Sequence, residues 1–163
     1  MTYYHMCPIP LEKGSIIKPG NYGRLLSYDK VRNPPVFARE TILEGIRKKL
    51  YPEKPSRLHC CFICDDIKST SIFFQHDFVM CLCYEVEIID ASAKMYRTSA
   101  QYISNLQQVY TKEWADSRAV EYWEWDESKK DVLPMEVLTS SPIRILTNGI
   151  NLQEFLLTHI VNS

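Results

Sequence analysis

An isolated carboxylate, Glu136, opens the apolar run "MEVLTSSPIRIL" at residues 135–146. The run reads as two short β-branched strands broken at Ser-Ser-Pro, and a buried strand has no need of an acid at its start. His5, inside "TYYHMC", is a second titratable side chain set in strand-like sequence. Between them lies "PSRLHCCFIC", with Ser56, Arg57, His59 and three of the six cysteines. Cys61 and Cys64, followed by the pair Cys81 and Cys83, have the composition of a zinc site. Both stretches read as strands, however, where neighbouring side chains face opposite ways, so Cys61 and Cys64 would part. No Gly-rich knuckle surrounds them. Buried, reduced thiols and no metal are the expectation. The same alternation separates Cys60 from His59 and argues against a Cys–His nucleophile. The chain has no G-x-S-x-G, H-E-x-x-H, G-x-G-x-x-G or phosphate-binding P-loop, so the usual hydrolase, zincin, Rossmann and Walker chemistries have no support.

The elements that must position these residues follow from pattern. Strands are expected over 2–7, 57–64 and 78–89, with two more within 135–146. Pro8 and Pro10 end the first, because proline cannot continue a ladder. Residues 11–26, with three glycines and Pro19, read as a turn-rich loop. After "NPP" comes a helix over 38–50, with Ile42, Leu43, Ile46 and Leu50 on one face and Lys/Arg in its last turn, where the helix dipole favours them. Asp65 or Asp66 can cap a short helix. Further helices are expected over 98–110, 115–123 and 151–161. Strands and helices alternate irregularly, without a repeated βαβ unit, which favours α+β over doubly wound α/β.

At 163 residues, with 45% hydrophobic and 24% charged side chains, the chain is expected to form one soluble domain over 1–163. Its net charge of −1 conceals a division: residues 1–58 carry eleven Lys/Arg against five Asp/Glu, and the remainder reverses the balance. A basic half suits phosphates, of a nucleotide or a nucleic acid, and also suits a merely solvated face. No basic segment leads into an apolar run at the N-terminus, and "FVMCLCY" is too short to cross a bilayer, so a cytoplasmic location without membrane contact is expected.

Three pieces of the sequence, in order, resemble an ADP-ribosyltransferase of the His–Tyr–Glu kind. These are His5 followed by "PLEKGSIIKPGNYGR", then "PSRLHCCFICDDIKSTSIFF", then "MEVLTSSPIRIL". The "G-x-x-I-x-P-G" turn, "P-S-R" before a strand and "Y-W" ahead of the Glu are similar to a bacterial and phage domain family grouped with those enzymes. The resemblance covers most of the chain. It departs from the pattern in the middle piece, which has no plain Tyr and in which "STS" follows the strand.

The resemblance implies a split β-sheet core with flanking helices and NAD as the substrate. His5 would bind the adenosine ribose, and Phe62 would stack on nicotinamide, with Phe73 and Phe74 as weaker matches. Arg57 and Arg24 are candidates for the pyrophosphate or, alternatively, for surface salt bridges, and Ser56 is a candidate for the nicotinamide ribose. Glu136 would be catalytic, holding the ribose 2′-hydroxyl and stabilising the sugar cation as nicotinamide departs. "AVEYWEW" would form the approach to it. The activity implied is mono-ADP-ribosylation of a macromolecular acceptor, protein or nucleic acid, of a type used by toxins and in phage–host conflict. The alternatives are a non-catalytic nucleotide- or protein-binding module and an RNA 2′-phosphotransferase on the same fold.

Overall fold

The structure is a computed structural model and describes residues 2–29, 34–70, 81–103, 111–126, 128, 135–151 and 154. Strand β1 (Tyr3–Cys7) stops just before Pro8, and β2 (Ile16–Ile17) is a two-residue strand in the following loop. Helices α1 (Asn21–Asp29) and α2 (Pro34–Leu50) come next. A 3-10 turn (Arg57–His59) leads into β3 (Cys61–Ile63) and the short α3 (Ile67–Thr70). Then follow β4 (Leu82–Ile88), β5 (Met95–Thr98), a second 3-10 turn (Ala100–Ile103) and α4 (Lys112–Trp123). The chain continues through β6 (Glu136–Thr139), β7 (Ile143–Ile145) and β8 (Ile150–Asn151).

The fold is α+β, and every strand pair among the described residues is antiparallel. One sheet runs β1-β4-β7-β2, with β8 also paired to β4; the other runs β3-β6-β5. Tyr4 and Cys64 join the two by exchanging backbone hydrogen bonds of 2.9 and 2.8 Å. Apolar residues from both sheets, among them Tyr3, Ile63, Val86, Val137 and Ile143, pack together into one cluster. The opposite side of the three-stranded sheet packs against α2 and α4 through Leu43, Tyr122, Trp123 and Leu138. Alternation along β6 therefore sends Val137 to the inter-sheet cluster and Leu138 to the helices.

Several elements differ from their sequence reading. Residues 21–26, expected as loop, belong to helix α1. Gly20, at φ +84°, completes the turn that precedes the helix, but Gly23 lies within it. A Cβ at Gly23 would stand 2.2 Å from the Leu58 carbonyl oxygen, so this glycine allows a close approach of helix to turn and does not break the helix. Helix α2 starts at Pro34, since the first turn tolerates proline. The strand expected over 57–64 keeps only its second half. Ser56 caps a 3-10 turn, its Oγ accepting from Leu58 N at 3.2 Å, and the ladder starts at Cys61. Thr98, expected to start a helix, ends β5, a strand not expected from the sequence, and Asn151, likewise expected to start a helix, lies in β8. Residues 78–80, 104–110 and all but 154 of 152–161 lie outside the described residues. β6 and β7 were expected as consecutive strands; they belong to different sheets, and Ser-Ser-Pro carries the chain from one to the other.

Candidate functional site

Glu136 shares its face of β6 with Leu138, so its carboxylate points toward α2 and α4 and is 3% exposed. Two donors meet one of its oxygens, Oε1: Arg57 Nη1 and the Tyr122 hydroxyl. Arg57 Nη1 also donates to the Tyr122 oxygen at 2.5 Å. On its other edge Arg57 holds a second carboxylate, Glu40, from Nε at 2.8 Å and from Nη2 at 3.3 Å. Arg39 donates to the same Glu40 from Nη2 at 2.8 Å, and the Tyr22 hydroxyl does so at 3.2 Å. Two guanidiniums thus face two carboxylates, and the cluster is electrically balanced, the condition under which charge can be buried.

The environment acts on each group as burial and charge dictate. Burial pulls Arg57 down, but Glu136 and Glu40 outweigh it and raise the guanidinium well above its ordinary value. Burial pushes Glu40 up, and the charges of Arg57 and Arg39 more than reverse it, so Glu40 is held below the usual carboxylate range. Burial keeps the Tyr122 hydroxyl far above the usual phenol range and therefore a donor. Aromatic rings close the cluster: Arg57 lies 4.8 Å from the Phe62 ring centre and 5.0 Å from that of Tyr122.

His5 reaches this group from the other sheet. Its Nδ1 lies 2.8 Å from the Phe62 carbonyl oxygen, so Nδ1 carries the hydrogen and Nε2 is left with a lone pair. Burial pushes its imidazole below 6.5, only partly opposed by that hydrogen bond. Phe62 sits opposite Leu138 in the β3–β6 ladder, and its ring meets Tyr22 edge-on at 5.1 Å. Phe62, Arg57 and Glu136 therefore form one neighbourhood, to which His5 is tied through the Phe62 backbone.

Ser56 and Arg24 stand apart from that neighbourhood. Ser56 donates to Glu44 Oε2 at 2.9 Å and so faces α2. Arg24 is exposed on α1, its Nη1 donating to the Pro19 carbonyl oxygen at 3.3 Å. Phe73 and Phe74 lie outside the described residues. Cys60 and Cys61 point into different clusters, and burial raises the thiols of Cys60 and Cys64 well above their ordinary value and that of Cys61 to about 11. Such thiols are poor nucleophiles and poor metal ligands. Among the described residues no group of three or more His, Cys, Asp and Glu is placed to hold a metal ion.

Sequence reasoning missed Glu40, Arg39, Tyr22 and the individual role of Tyr122. A signal existed for Glu40. It precedes Leu43 by three residues, which places an acid on the buried face of α2. Tyr122 follows the buried Ala119 by three residues in the same way.

A two-sheet antiparallel α+β protein with a buried, balanced Arg–Glu cluster at the sheet–helix junction is the class these features define. Residues 11–154 match the family described as Protein of unknown function (DUF2441), and the chain belongs to that family. No curated protein matches it. No helix among the described residues is long and apolar enough to cross a membrane.

Proposed function

We propose that the protein is an NAD-dependent mono-ADP-ribosyltransferase acting on a macromolecular acceptor, built on a split-sheet core of that fold. The observation that carries this reading is convergence. His5 bonds to the Phe62 backbone at 2.8 Å, and Arg57 links the Phe62 ring to Glu136, so a relay of contacts connects the three residues of the His–aromatic–Glu pattern although they lie far apart in the chain. A neutral His5 with its hydrogen on Nδ1 offers Nε2 to a ribose hydroxyl. Arg57 is engaged by two carboxylates, so its part is to hold Glu136.

In the reaction, the bond between nicotinamide and ribose breaks and its electron pair leaves with nicotinamide. Positive charge builds on the sugar, and a nucleophile of the acceptor, losing a proton, forms the new bond to the anomeric carbon. Glu136, with Oε1 occupied by Arg57 and Tyr122, would use Oε2 to accept the ribose 2′-hydroxyl and would stabilise the cation electrostatically.

One observation favours a second reading, a non-catalytic nucleotide- or protein-binding module. Glu136 is 3% exposed, and the Phe62 ring is met by Arg57 and Tyr22. The experiment that separates the two is nicotinamide release from NAD, with titration calorimetry for NAD alongside. Release that depends on Glu136 supports the transferase. NAD binding without release, with protein and nucleic acid acceptors both supplied, supports the module.

A further inference from the structure

We infer that Tyr122 is a positioning residue for Glu136, its hydroxyl fixing Oε1 so that Oε2 is presented to the reacting sugar. The inference rests on the transferase reading above. Tyr122 is fully buried near the end of α4, and its own placement is determined by the strand beside Glu136. Its carbonyl oxygen accepts from Thr98 Oγ1 at 2.7 Å and from the Tyr96 hydroxyl at 2.9 Å, both on β5. Thr98 stands opposite Glu136 in the β5–β6 ladder. A circuit closes: β5 holds the end of α4, α4 holds the carboxylate, and the backbone that carries the carboxylate is laddered to β5. The next residue, Trp123, is fixed from the far side by its Nε1 hydrogen bond to the Leu43 carbonyl at 2.9 Å.

The direction of the hydrogen bonds follows from what each group can do. Arg57 has donors only, so at Tyr122 it must donate to the phenolic oxygen. The single phenolic hydrogen is then left for Glu136. Arg57 alone would leave the carboxylate free to rotate about a point contact. A second donor, from a separate element and held by two hydroxyls of its own, selects one rotamer. It does so without adding charge to a cluster that is already balanced. Tyr122 is fully buried and its hydroxyl donates to Glu136, so its effect on the sugar passes through Glu136.

The test is Tyr122→Phe, which keeps the ring against Arg57 and Trp123 and removes only the hydroxyl. Nicotinamide release is measured over a range of NAD concentrations, alone and in the Glu136→Gln background. Loss of one hydrogen bond to a charged group should lower kcat by roughly 10- to 100-fold, with the KM for NAD within about twofold of wild type. In the Glu136→Gln background the same change should cost no further rate, because residues acting through one another are non-additive. Wild-type kcat in Tyr122→Phe, or an equal loss in both backgrounds, overturns the inference and leaves the transferase reading standing. Should Tyr122→Phe fail to fold, Thr98→Val carries the test with the same two backgrounds. A wild-type protein that neither binds NAD nor releases nicotinamide overturns the transferase reading and this inference together.

Discussion

Arg57 and Glu136, 79 residues apart in the chain, form a buried ion pair from Nη1 to Oε1. Arg57 is the only described side chain that bonds both buried carboxylates of the cluster, Glu40 on α2 and Glu136 on β6. It therefore ties a helix to a strand through charge, where the surrounding residues do so by apolar contact. A cation so placed cannot be removed without leaving negative charge in a dry interior.

Arg57→Ala is accordingly expected to lose roughly 3–5 kcal/mol of stability. Urea unfolding at neutral pH measures it. A loss below about 1 kcal/mol, the range of exposed pairs, would show that water reaches the cluster and that its burial is incomplete.

Glu136→Gln leaves Arg57 paired with Glu40 but unbalances the buried cluster by one charge, so stability should fall, and folding of the variant is verified before its rate is read. If Glu136 supports the sugar cation, nicotinamide release should fall about 100- to 1,000-fold with little change in NAD affinity. His5→Ala should instead raise the KM first, since it would contact the half of NAD that does not react. Equal release by wild type and Glu136→Gln would reduce this acid to a structural role.

Stability should depend on pH through His5. Burial lowers its folded-state pKa from 6.5. Below that value the unfolded chain takes up a proton that the folded chain resists. The His5 contribution is therefore complete above 6.5 and drains away as the pH falls toward the folded value. Unfolding midpoints compared between about pH 7.5 and about pH 5 should fall more steeply for wild type than for His5→Gln. Parallel curves would mean that the imidazole is solvated.

Gly23→Ala tests the contact between α1 and the 57–59 turn. In an exposed helix this change stabilises by about 1 kcal/mol. Here the added Cβ meets the Leu58 carbonyl oxygen at 2.2 Å, so the sign reverses. A destabilisation of roughly 1–3 kcal/mol is expected. A stabilised variant would place α1 further from the turn.

Local pattern was enough for much of the architecture. The β-branched runs of β6 and β7, the proline stop after β1 and the packing of Ile42, Leu43 and Ile46 on α2 are legible because strand and helix periods are properties of neighbouring residues; Leu50, expected on the same face, is exposed at the helix end. The α+β class follows from their irregular order. Local pattern misjudged 21–26, since a glycine that breaks a helix and one that lets a helix approach a turn look alike in sequence. It also read 57–64 as one strand, because "RLHCCFIC" alternates plausibly and only the Ser56 cap and the inward Arg57 break it.

At the candidate site, sequence singled out His5, Arg57 and Glu136 as polar residues in strand-like segments, and Phe62 by its position in the family resemblance. It gave no information on what they would face. That β6 and β7 join different sheets, that Glu136 turns toward α2 and α4, and that Arg57 is claimed by Glu40 and Glu136 were decided by tertiary structure alone. The reason is physical. A residue's type and its period are carried by the chain locally, but a buried charge takes its partner from whichever elements packing brings within about 3 Å. For Arg57 these partners lie 17 residues before it and 79 after it.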